Sequence, residues 1–212
     1  GNPLSDVHEG SNFQTFTSDF GSAIRHWNGV DVSVNARFSN GFMLAGGTST
    51  GRTSTNDCDI AQNTGPASGG SASHLLYCDV SGSFLTDIKA YGSYTIPGID
   101  VLLSGSYQSV RGPELSATVT FTTAEVAAAL GRQPGLGGTV DVQVIDPGTA
   151  YGERLHQFDF RVGKIFRTGG MQATVNLDLF NALNADTILA ESSGFSTLRN
   201  AQRILQGRIV QF

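Results

Sequence analysis

The fold is decided by the stretch Phe158-Asp-Phe-Arg-Val-Gly-Lys-Ile-Phe166, which continues through Arg-Thr-Gly-Gly into Met171-Gln-Ala-Thr-Val-Asn-Leu-Asp-Leu179. Apolar and polar residues alternate with a period of two on both sides of the paired glycines. Successive side chains of a strand point to opposite faces, so this pattern predicts a hairpin with one apolar and one polar face. Similar alternation precedes Asn40-Gly41 and Pro97-Gly98. Three such hairpins predict an all-β, antiparallel fold.

Composition excludes some classes of protein and leaves two open. A chain of 212 residues suits one β domain. Its net charge of −5, with Lys89 and Lys164 as the only lysines, gives no basic surface for nucleic acid. No stretch approaches the roughly 18 consecutive apolar residues of a membrane helix. The mean hydropathy of −0.07 fits a membrane β-barrel, whose strands alternate, and fits a soluble β protein equally.

The pattern along the chain predicts an antiparallel meander of about eight strands. Residues 1–23 are polar without a clear period and are predicted to be an irregular lead-in, followed by an antiparallel β-barrel, or the C-terminal portion of one, over residues 24–212. Segment 113–138 is ambiguous, with a strand at Ser116–Thr123 or a short helix at Thr123–Leu130 that is capped by Thr123. Residues 183–202 are predicted to be a polar connection. The predicted strands cover residues 28–39, 42–55, 84–96, 99–110, 139–146, 154–167, 171–182 and 203–212.

The alternation also predicts which side chains share a face. Val30, Val32 and Val34 are expected on one side of their strand. In a soluble sheet the polar face meets bulk water, whereas in a membrane barrel it meets a wet lumen and the apolar face meets lipid. Charged residues predicted to line the polar face are Asp31, Arg37, Asp159, Arg161 and Asp178. Aromatic residues near the predicted strand ends suit a membrane interface and, equally, the ends of a soluble core. They are Trp27, Tyr94, Tyr107, Tyr151, Phe166 and Phe180.

Cys58 and Cys78 are the only cysteines, and a polar segment rich in Gly, Ser and Ala separates them. Two cysteines that bracket one surface loop favour a structural disulfide, and hence an oxidising compartment. A metal pair or a redox dithiol requires closer spacing or additional histidines, and only His74 lies nearby. Two free thiols are the remaining alternative.

Several segments together resemble a known family. They are His26-Trp-Asn-Gly-Val-Asp-Val32, Asn35-Ala-Arg37, Gly46-Gly-Thr-Ser-Thr-Gly-Arg52, Gly92-Ser-Tyr-Thr-Ile-Pro97, Pro147-Gly-Thr-Ala-Tyr-Gly152, Asn176-Leu-Asp-Leu-Phe-Asn-Ala-Leu-Asn184 and Ile204-Leu-Gln-Gly-Arg208. This combination is similar to the C-terminal barrel region of TonB-dependent outer-membrane receptors, in the branch whose N-terminus bears a carboxypeptidase-regulatory-like domain. The similarity covers about residues 24–212, and Asn-Ala-Leu-Asn after an alternating strand is its most specific element.

The resemblance implies the last strands of an importer in the bacterial outer membrane. Such a receptor takes up a scarce ligand, here unidentified, with energy passed from the inner membrane. Implied partners are outer-membrane lipid and, through N-terminal parts, the TonB energising system. The sequence holds no plug domain, TonB box or regulatory-like domain, and its final strand stops at Ile209-Val-Gln-Phe212, so a fragment or a shortened relative of such a receptor is expected.

Two other functions compete with uptake. One is a stand-alone small β-barrel with a structural or binding role. The other is an esterase, because Gly47-Thr-Ser-Thr-Gly51 matches the G-x-S-x-G pattern in which Ser49 attacks an ester. That chemistry requires a sharp strand-to-helix turn at the serine, whereas a polar β-branched run follows here. No cofactor or metal site is predicted, since Asp141, Asp146, Glu153 and Asp159 lack calcium-loop spacing.

Overall fold

The computed structural model describes residues 16–64, 75–132 and 139–212, and its dominant feature is an eight-stranded antiparallel sheet. Across the sheet the strands follow the order β1-β2-β4-β5-β8-β9-β12, with β3 paired beside β2. The sheet strands are β1 (Ile24–Arg37), β2 (Met43–Asn56), β3 (Asp79–Ser81), β4 (Leu85–Ile96), β5 (Val101–Val110), β8 (Leu155–Thr168), β9 (Met171–Phe180) and β12 (Ile209–Gln211). The predicted all-β antiparallel fold is confirmed.

The remaining elements lie in the connections between these strands. Two further hairpins pair apart from the main sheet, β6 with β7 and β10 with β11. These elements are α1 (Cys58–Thr64), β6 (Thr118–Thr122), α2 (Thr123–Leu130), β7 (Thr139–Gln143), β10 (Ile188–Glu191) and β11 (Ala201–Ile204). In the part of the chain that the structure describes, no helix is long and apolar enough to cross a membrane.

The connections differ sharply between the two ends of the sheet. At one end, which we call the turn end, residues 38–42, 97–100 and 169–170 join neighbouring strands. Gly169 and Gly170 both have positive φ, +55° and +85°, as a two-residue turn between twisted strands requires. At the opposite end, which we call the loop end, the connections are residues 57–84, 111–154 and 181–208. The loop end therefore carries all of the additional helices and hairpins described.

Strand register assigns every side chain of the main sheet to one of two faces, because directly opposed residues point the same way. Val30, Val32 and Val34 oppose Thr50, Thr48 and Gly46 and share one side, as predicted. We call this side the apolar face. The opposite side, the polar face, holds all five charged residues predicted for it: Asp31, Arg37, Asp159, Arg161 and Asp178.

The apolar face is not covered by any packed layer among the described residues. Val30 is 65% exposed, Val175 61% and Phe166 51%. The buried apolar residues are only Ala61, Cys78 and Ala117, and no large side chain is fully buried in the described ranges. A soluble β-sheet buries one face in a core. This sheet instead presents its apolar side chains outward.

The main sheet is open. Within the described ranges β1 pairs only with β2, so its other edge is unpaired along Ile24–Arg37. At the far side, β12 covers only the Asp178–Phe180 part of β9. Both edges therefore leave backbone donors and acceptors available for further strands.

Three predictions of local structure need correction. Residues 203–212 are not one strand: β11 ends at Ile204 in a separate hairpin, and β12 begins at Ile209 after Gly207. Residues 183–202 are not only a polar connection, since β10 lies within them. Strand β7 pairs with β6 and is not part of the meander. In each case two strands pair locally within a loop, which alternation alone does not reveal.

The ambiguous segment, 113–138, contains both predicted elements in succession: strand β6 and then helix α2. The helix is capped by Thr122, one residue before the predicted cap. The Thr122 hydroxyl accepts from the Glu125 amide at 3.4 Å, while the Glu125 carboxylate accepts from the Thr122 amide at 2.7 Å. These contacts form a complete capping box. They also lower the pKa of Glu125, because the carboxylate accepts hydrogen bonds from Thr122.

The predicted disulfide between Cys58 and Cys78 is confirmed. Their Cα atoms lie 4.8 Å apart and the cysteines are separated by 20 positions. The Asp57 amide donates to the Cys78 carbonyl at 2.9 Å, so the bridge closes the base of the first loop beside β3. The His74 alternative falls on a residue outside the described ranges.

Replacing Cys58 and Cys78 together by serine is expected to lower the free energy of unfolding by about 3 kcal/mol, because the bridge restricts the unfolded chain. Urea unfolding of the purified protein under non-reducing conditions measures the change. Reducing agent should lower the unfolding midpoint of the native protein and leave the double variant unchanged. An unchanged midpoint for the native protein after reduction contradicts a stabilising bridge.

Candidate functional site

The polar face carries a hydrogen-bonded row across β5, β8 and β9. Gln108 donates to Gln157 at 3.0 Å, and Gln157 donates to the carboxylate of Asp159 at 3.0 and 3.1 Å. Arg161 and Asp178 face each other across β8 and β9, with Nη2 and Oδ2 2.9 Å apart. Since the Arg161 side chain is 48% exposed, this ion pair contributes little net stability. These polar and charged side chains make this face of the sheet hydrophilic.

A cavity of about 1110 Å³ lies where the loop end of the polar face meets the loops. Its wall is formed by β1, β2 and β4 on one side and by the connections after β2, β5, β7 and β9 on the other. Residues from all of these elements converge there although they are far apart in sequence. The charged and aromatic residues whose side chains contribute to the lining are Arg25, Trp27, Tyr77, Asp87, Arg111, Glu114, Tyr151, Glu153 and Arg203. Arg52 also borders the cavity, but strand register places its side chain on the apolar face.

Trp27 forms the sheet wall of the cavity. Gly29 and Gly51 are paired across β1 and β2, and the indole lies over both of them, so close that a Cβ on either glycine would collide with the ring. Glycine at these two positions therefore makes room for a flat aromatic surface on the polar face. Glycine has no side chain to pack against its neighbours in a strand, and an aromatic ring that packs over it supplies those contacts instead.

This position corrects the interpretation of the aromatic residues. Trp27 lies on the polar face, and so does Phe180, which opposes Ile209 at the end of β9. Tyr151 lies in the connection before β8 and not in a strand of the main sheet. Tyr94, Tyr107 and Phe166 are the members of the predicted set that lie on the apolar face. Nearness to a strand end predicts at which end of the sheet an aromatic side chain lies. It does not predict the face, because the face depends on strand register.

Two tyrosines form the loop wall of the cavity. The Tyr77 hydroxyl donates to Asp146 at 2.7 Å, and this hydrogen bond raises the pKa of the phenol. The Tyr151 hydroxyl donates to the Gly148 carbonyl at 3.2 Å, and burial, followed by the negative charge of Glu114, raises its pKa. Both phenols are therefore protonated at neutral pH and act as hydrogen-bond donors and not as nucleophiles.

In the part of the chain that the structure describes, some of the charged side chains in the cavity form ion pairs with each other, and others do not. The Arg111 amide donates to Asp87 at 2.9 Å, and its guanidinium lies 3.5 Å from the same carboxylate. Arg25, Arg203 and Glu153 form no ion pair among the described residues. The cavity therefore offers two available guanidinium groups, one available carboxylate and three aromatic rings. Such a lining suits a polar ligand that carries charge and a flat or apolar part.

Ser49 is not placed for catalysis. Its G-x-S-x-G segment lies entirely within β2, where Ser49 opposes Asp31 on one side and Asp87 on the other. A nucleophile elbow requires a strand-to-helix turn whose amides hold the oxyanion, and a strand interior provides none. A serine nucleophile also needs a histidine base, and the two described candidates, His26 and His156, lie on the apolar face, opposite to Ser49. The esterase hypothesis therefore receives no geometric support.

The acids considered for calcium are dispersed. Asp141 accepts from Thr120 at 2.6 Å on β7, and Asp146 accepts from Tyr77 in the following loop. Asp159 accepts from Gln157 and from the Asn181 amide on the polar face. Within the described residues, no three His, Cys, Asp or Glu side chains converge on a metal-sized site.

Comparisons of the chain with protein-family models, with curated proteins and with solved structures gave no match. The sheet, its two faces and the cavity are therefore the observations from which a function is inferred.

Proposed function

We propose that this chain forms part of the barrel wall of a TonB-dependent receptor in the bacterial outer membrane, and that it takes part in uptake of a polar ligand. The uncovered apolar face is the observation that carries the proposal. Soluble monomers rarely present a contiguous apolar surface larger than a few hundred Å². Here exposed apolar side chains occur on this face from β1 to β12, with Thr48 and Thr50 of β2 among them: Val30, Val32, Val34, Leu44, Ile88, Phe166, Val175, Leu177 and Val210. Lipid is the environment that stabilises it.

The distribution of connections supports the same orientation. Bacterial outer-membrane barrels have short periplasmic turns and longer extracellular loops. In this sheet the three turns lie at one end, while the three long connections lie at the other. We therefore assign the turn end to the periplasm and the loop end to the cell exterior.

The height of the apolar band supports insertion as well. On β1 the outward apolar side chains run from Val30 to the residue after the strand, Phe38. Eight residues span about 26 Å along a strand. At a tilt of about 40° this covers about 20 Å of a hydrocarbon band roughly 25 Å tall. Above Val30, the outward residues Asn28 and His26 are polar, as expected where the wall leaves the membrane.

In this proposal the two open edges mean that the chain supplies only part of the barrel wall. Unpaired strand edges do not occur in the hydrocarbon region, because each unsatisfied backbone group costs several kcal/mol there. The free edges of β1 and β9 therefore require pairing to further strands of the wall. In this arrangement the polar face lines the lumen, and the cavity with Trp27 lies at its outer mouth, where an incoming ligand arrives first.

Topology in intact cells tests the proposal. We expect a cysteine at Ala128, exposed on α2, to react with a membrane-impermeant maleimide in whole cells that express the protein. A cysteine at Ser39, exposed in the first turn, should react only after the cells are lysed. The native cysteines are paired and do not interfere. Reaction at Ser39 in intact cells, or recovery of the protein outside the outer-membrane fraction, contradicts the proposal.

A further inference from the structure

Ionisable side chains are distributed unequally between the two faces. On the long strands of the main sheet, all four carboxylates, those of Asp31, Asp87, Asp159 and Asp178, lie on the polar face. The apolar face carries basic side chains instead: His26, Arg52, His156 and Lys164. Its one acid in the described strands is Asp79, which lies in β3 beyond Arg52.

Three of the basic residues, together with Arg154, form a row at the loop end of the apolar face, which we call the basic rim. Its members are His26 on β1, Arg52 on β2, His156 near the start of β8, and Arg154 immediately before β8. Lys164 lies apart, near the turn end, where it donates to the Ile99 carbonyl. On β8 the basic rim directly follows apolar residues, since His156 precedes Phe158, whereas on β1 Asn28 separates His26 from Val30.

Arg154 is the most firmly placed member of the basic rim. Its Nη1 donates to the Ser109 hydroxyl at 3.1 Å and its Nη2 to the Thr86 carbonyl at 2.7 Å, so the guanidinium extends from β8 across β5 to β4. A guanidinium has five N–H donors, and three remain available here. No carboxylate neutralises Arg154 in the described ranges.

Arg52 is positioned by an aromatic ring. Its guanidinium carbon lies 5.0 Å from the centre of the Phe84 ring, and both side chains are exposed. Phe84 directly precedes β4, two residues before the Thr86 carbonyl that binds Arg154. Arg52 and Arg154 therefore flank the same end of β4.

An apolar groove of about 360 Å³ lies on the same face, on the turn-end side of the basic rim. Gly92 and Gly105, paired across β4 and β5, form its floor, and Tyr94, Leu103 and Phe160 are among its walls. The two glycines create a depression between the larger side chains of Phe42, Tyr94, Leu103 and Phe160. The groove continues to the rim through Tyr107, whose hydroxyl lies 2.9 Å from Nδ1 of His156.

We propose that the basic rim binds the phosphate-bearing head group of an anionic lipid, and that an acyl chain of this lipid lies in the groove below. The inference rests on the proposed membrane orientation. Arginine pairs with phosphate through charge-assisted hydrogen bonds. Placement of cations without neighbouring carboxylates at the height of the head groups is complementary to an anionic lipid. The apolar groove approaches the basic rim at Tyr107, beside His156, so it accepts a hydrocarbon chain of a lipid whose head group is bound at the rim.

Lipid affinity of the purified full protein tests this inference. The protein is isolated from outer membranes in a neutral detergent and titrated with dioleoyl phosphatidic acid or dioleoyl phosphatidylcholine, with native mass spectrometry as the readout. We expect tighter binding of phosphatidic acid. Arg154→Gln and Arg52→Gln should each weaken that binding about fivefold and leave phosphatidylcholine binding unchanged.

Two further variants make the test specific. Arg132→Gln, which removes the same charge from an exposed position after α2, should leave the lipid preference unchanged. Gly92→Leu should weaken binding of both lipids by filling the groove; a Cβ at this position has its nearest neighbour at 3.7 Å, so the backbone need not move. Retained binding in both Arg52→Gln and Arg154→Gln, or an equal loss in Arg132→Gln, overturns the inference.

The labelling experiment separates this inference from the proposed function. A protein with the expected topology that does not prefer phosphatidic acid refutes the lipid site alone. A protein with the wrong topology refutes the membrane orientation, and with it the lipid site.

Discussion

Val34→Arg is expected to destabilise the membrane-inserted protein by about 2–4 kcal/mol, the cost of arginine on the lipid-facing side near the middle of a bilayer. Val34 lies midway along the outward apolar residues of β1 and is 56% exposed. In water, a charge at so exposed a position changes stability by at most about 0.5 kcal/mol. The size of the effect therefore reports directly on the environment of the apolar face. Urea unfolding in phosphatidylcholine vesicles measures it.

The neighbouring residue provides the matched control. Asn35 lies on the polar face of the same strand and is also exposed. Asn35→Arg should therefore change the free energy of unfolding by less than about 0.5 kcal/mol, since this side chain meets water. Equal and small effects at positions 34 and 35 contradict a lipid-facing apolar surface.

Asn181→Ala is expected to lower the free energy of unfolding by about 3–4 kcal/mol, because one side chain anchors the connection after β9. Asn181 is 2% exposed. Its Nδ2 donates to the carbonyls of Ala185 and Gln206 at 2.8 and 2.9 Å, and its Oδ1 accepts from the Ala185 amide at 2.9 Å. Alanine leaves these three backbone groups without a partner. Urea unfolding of the purified protein in detergent measures the loss.

A glycine variant separates the two causes of that loss. Asn181 has φ of +50°, a conformation that glycine adopts without strain and alanine does not. Asn181→Gly should therefore be about 1 kcal/mol more stable than Asn181→Ala, while it still lacks the three hydrogen bonds. Asn176→Ala is the control, since its side chain makes no hydrogen bond among the described residues. A loss no larger than that of the control would show that the anchor is unimportant.

The main sheet follows from the sequence because it depends on local chemistry. Alternation placed Val30, Val32 and Val34 on one face, and glycine or Asn-Gly pairs marked the turns. These signals lie within a few residues of each other. The bracketing cysteines similarly predicted the disulfide, because only one partner was available to each.

The loops and the cavity do not follow from the sequence in the same way. The cavity brings Trp27 together with Tyr151 and Arg203, each of which lies more than a hundred residues after Trp27 in the chain. The contacts are made by loops that have no periodic pattern. The spacing of Trp27 and Gly29 on one face, opposite Gly51, was the available signal for a ring packed over glycine. Recognising this arrangement requires the register of β1 against β2, which cannot be derived from the sequence alone.

The basic rim was missed for a related reason. Arg154 precedes a strand and reaches residues 45 and 68 positions away, Ser109 and Thr86. Its role depends on the order of β4, β5 and β8 in the sheet, and a long connection separates β5 from β8. Sequence alternation identified the two faces, whereas the unequal distribution of charge between them became evident only when the strands were aligned.

Site-directed spin labelling along β1 tests the membrane orientation most directly. Nitroxides placed one at a time at positions 30–37, in protein inserted into vesicles under non-reducing conditions, are exposed to lipid-soluble oxygen and to a water-soluble nickel chelate. We expect a period of two, with access of oxygen favoured at Val30, Val32 and Val34 and access of the chelate favoured at Asp31, Ser33 and Asn35. Similar access of the chelate to both sets contradicts an apolar face in contact with lipid.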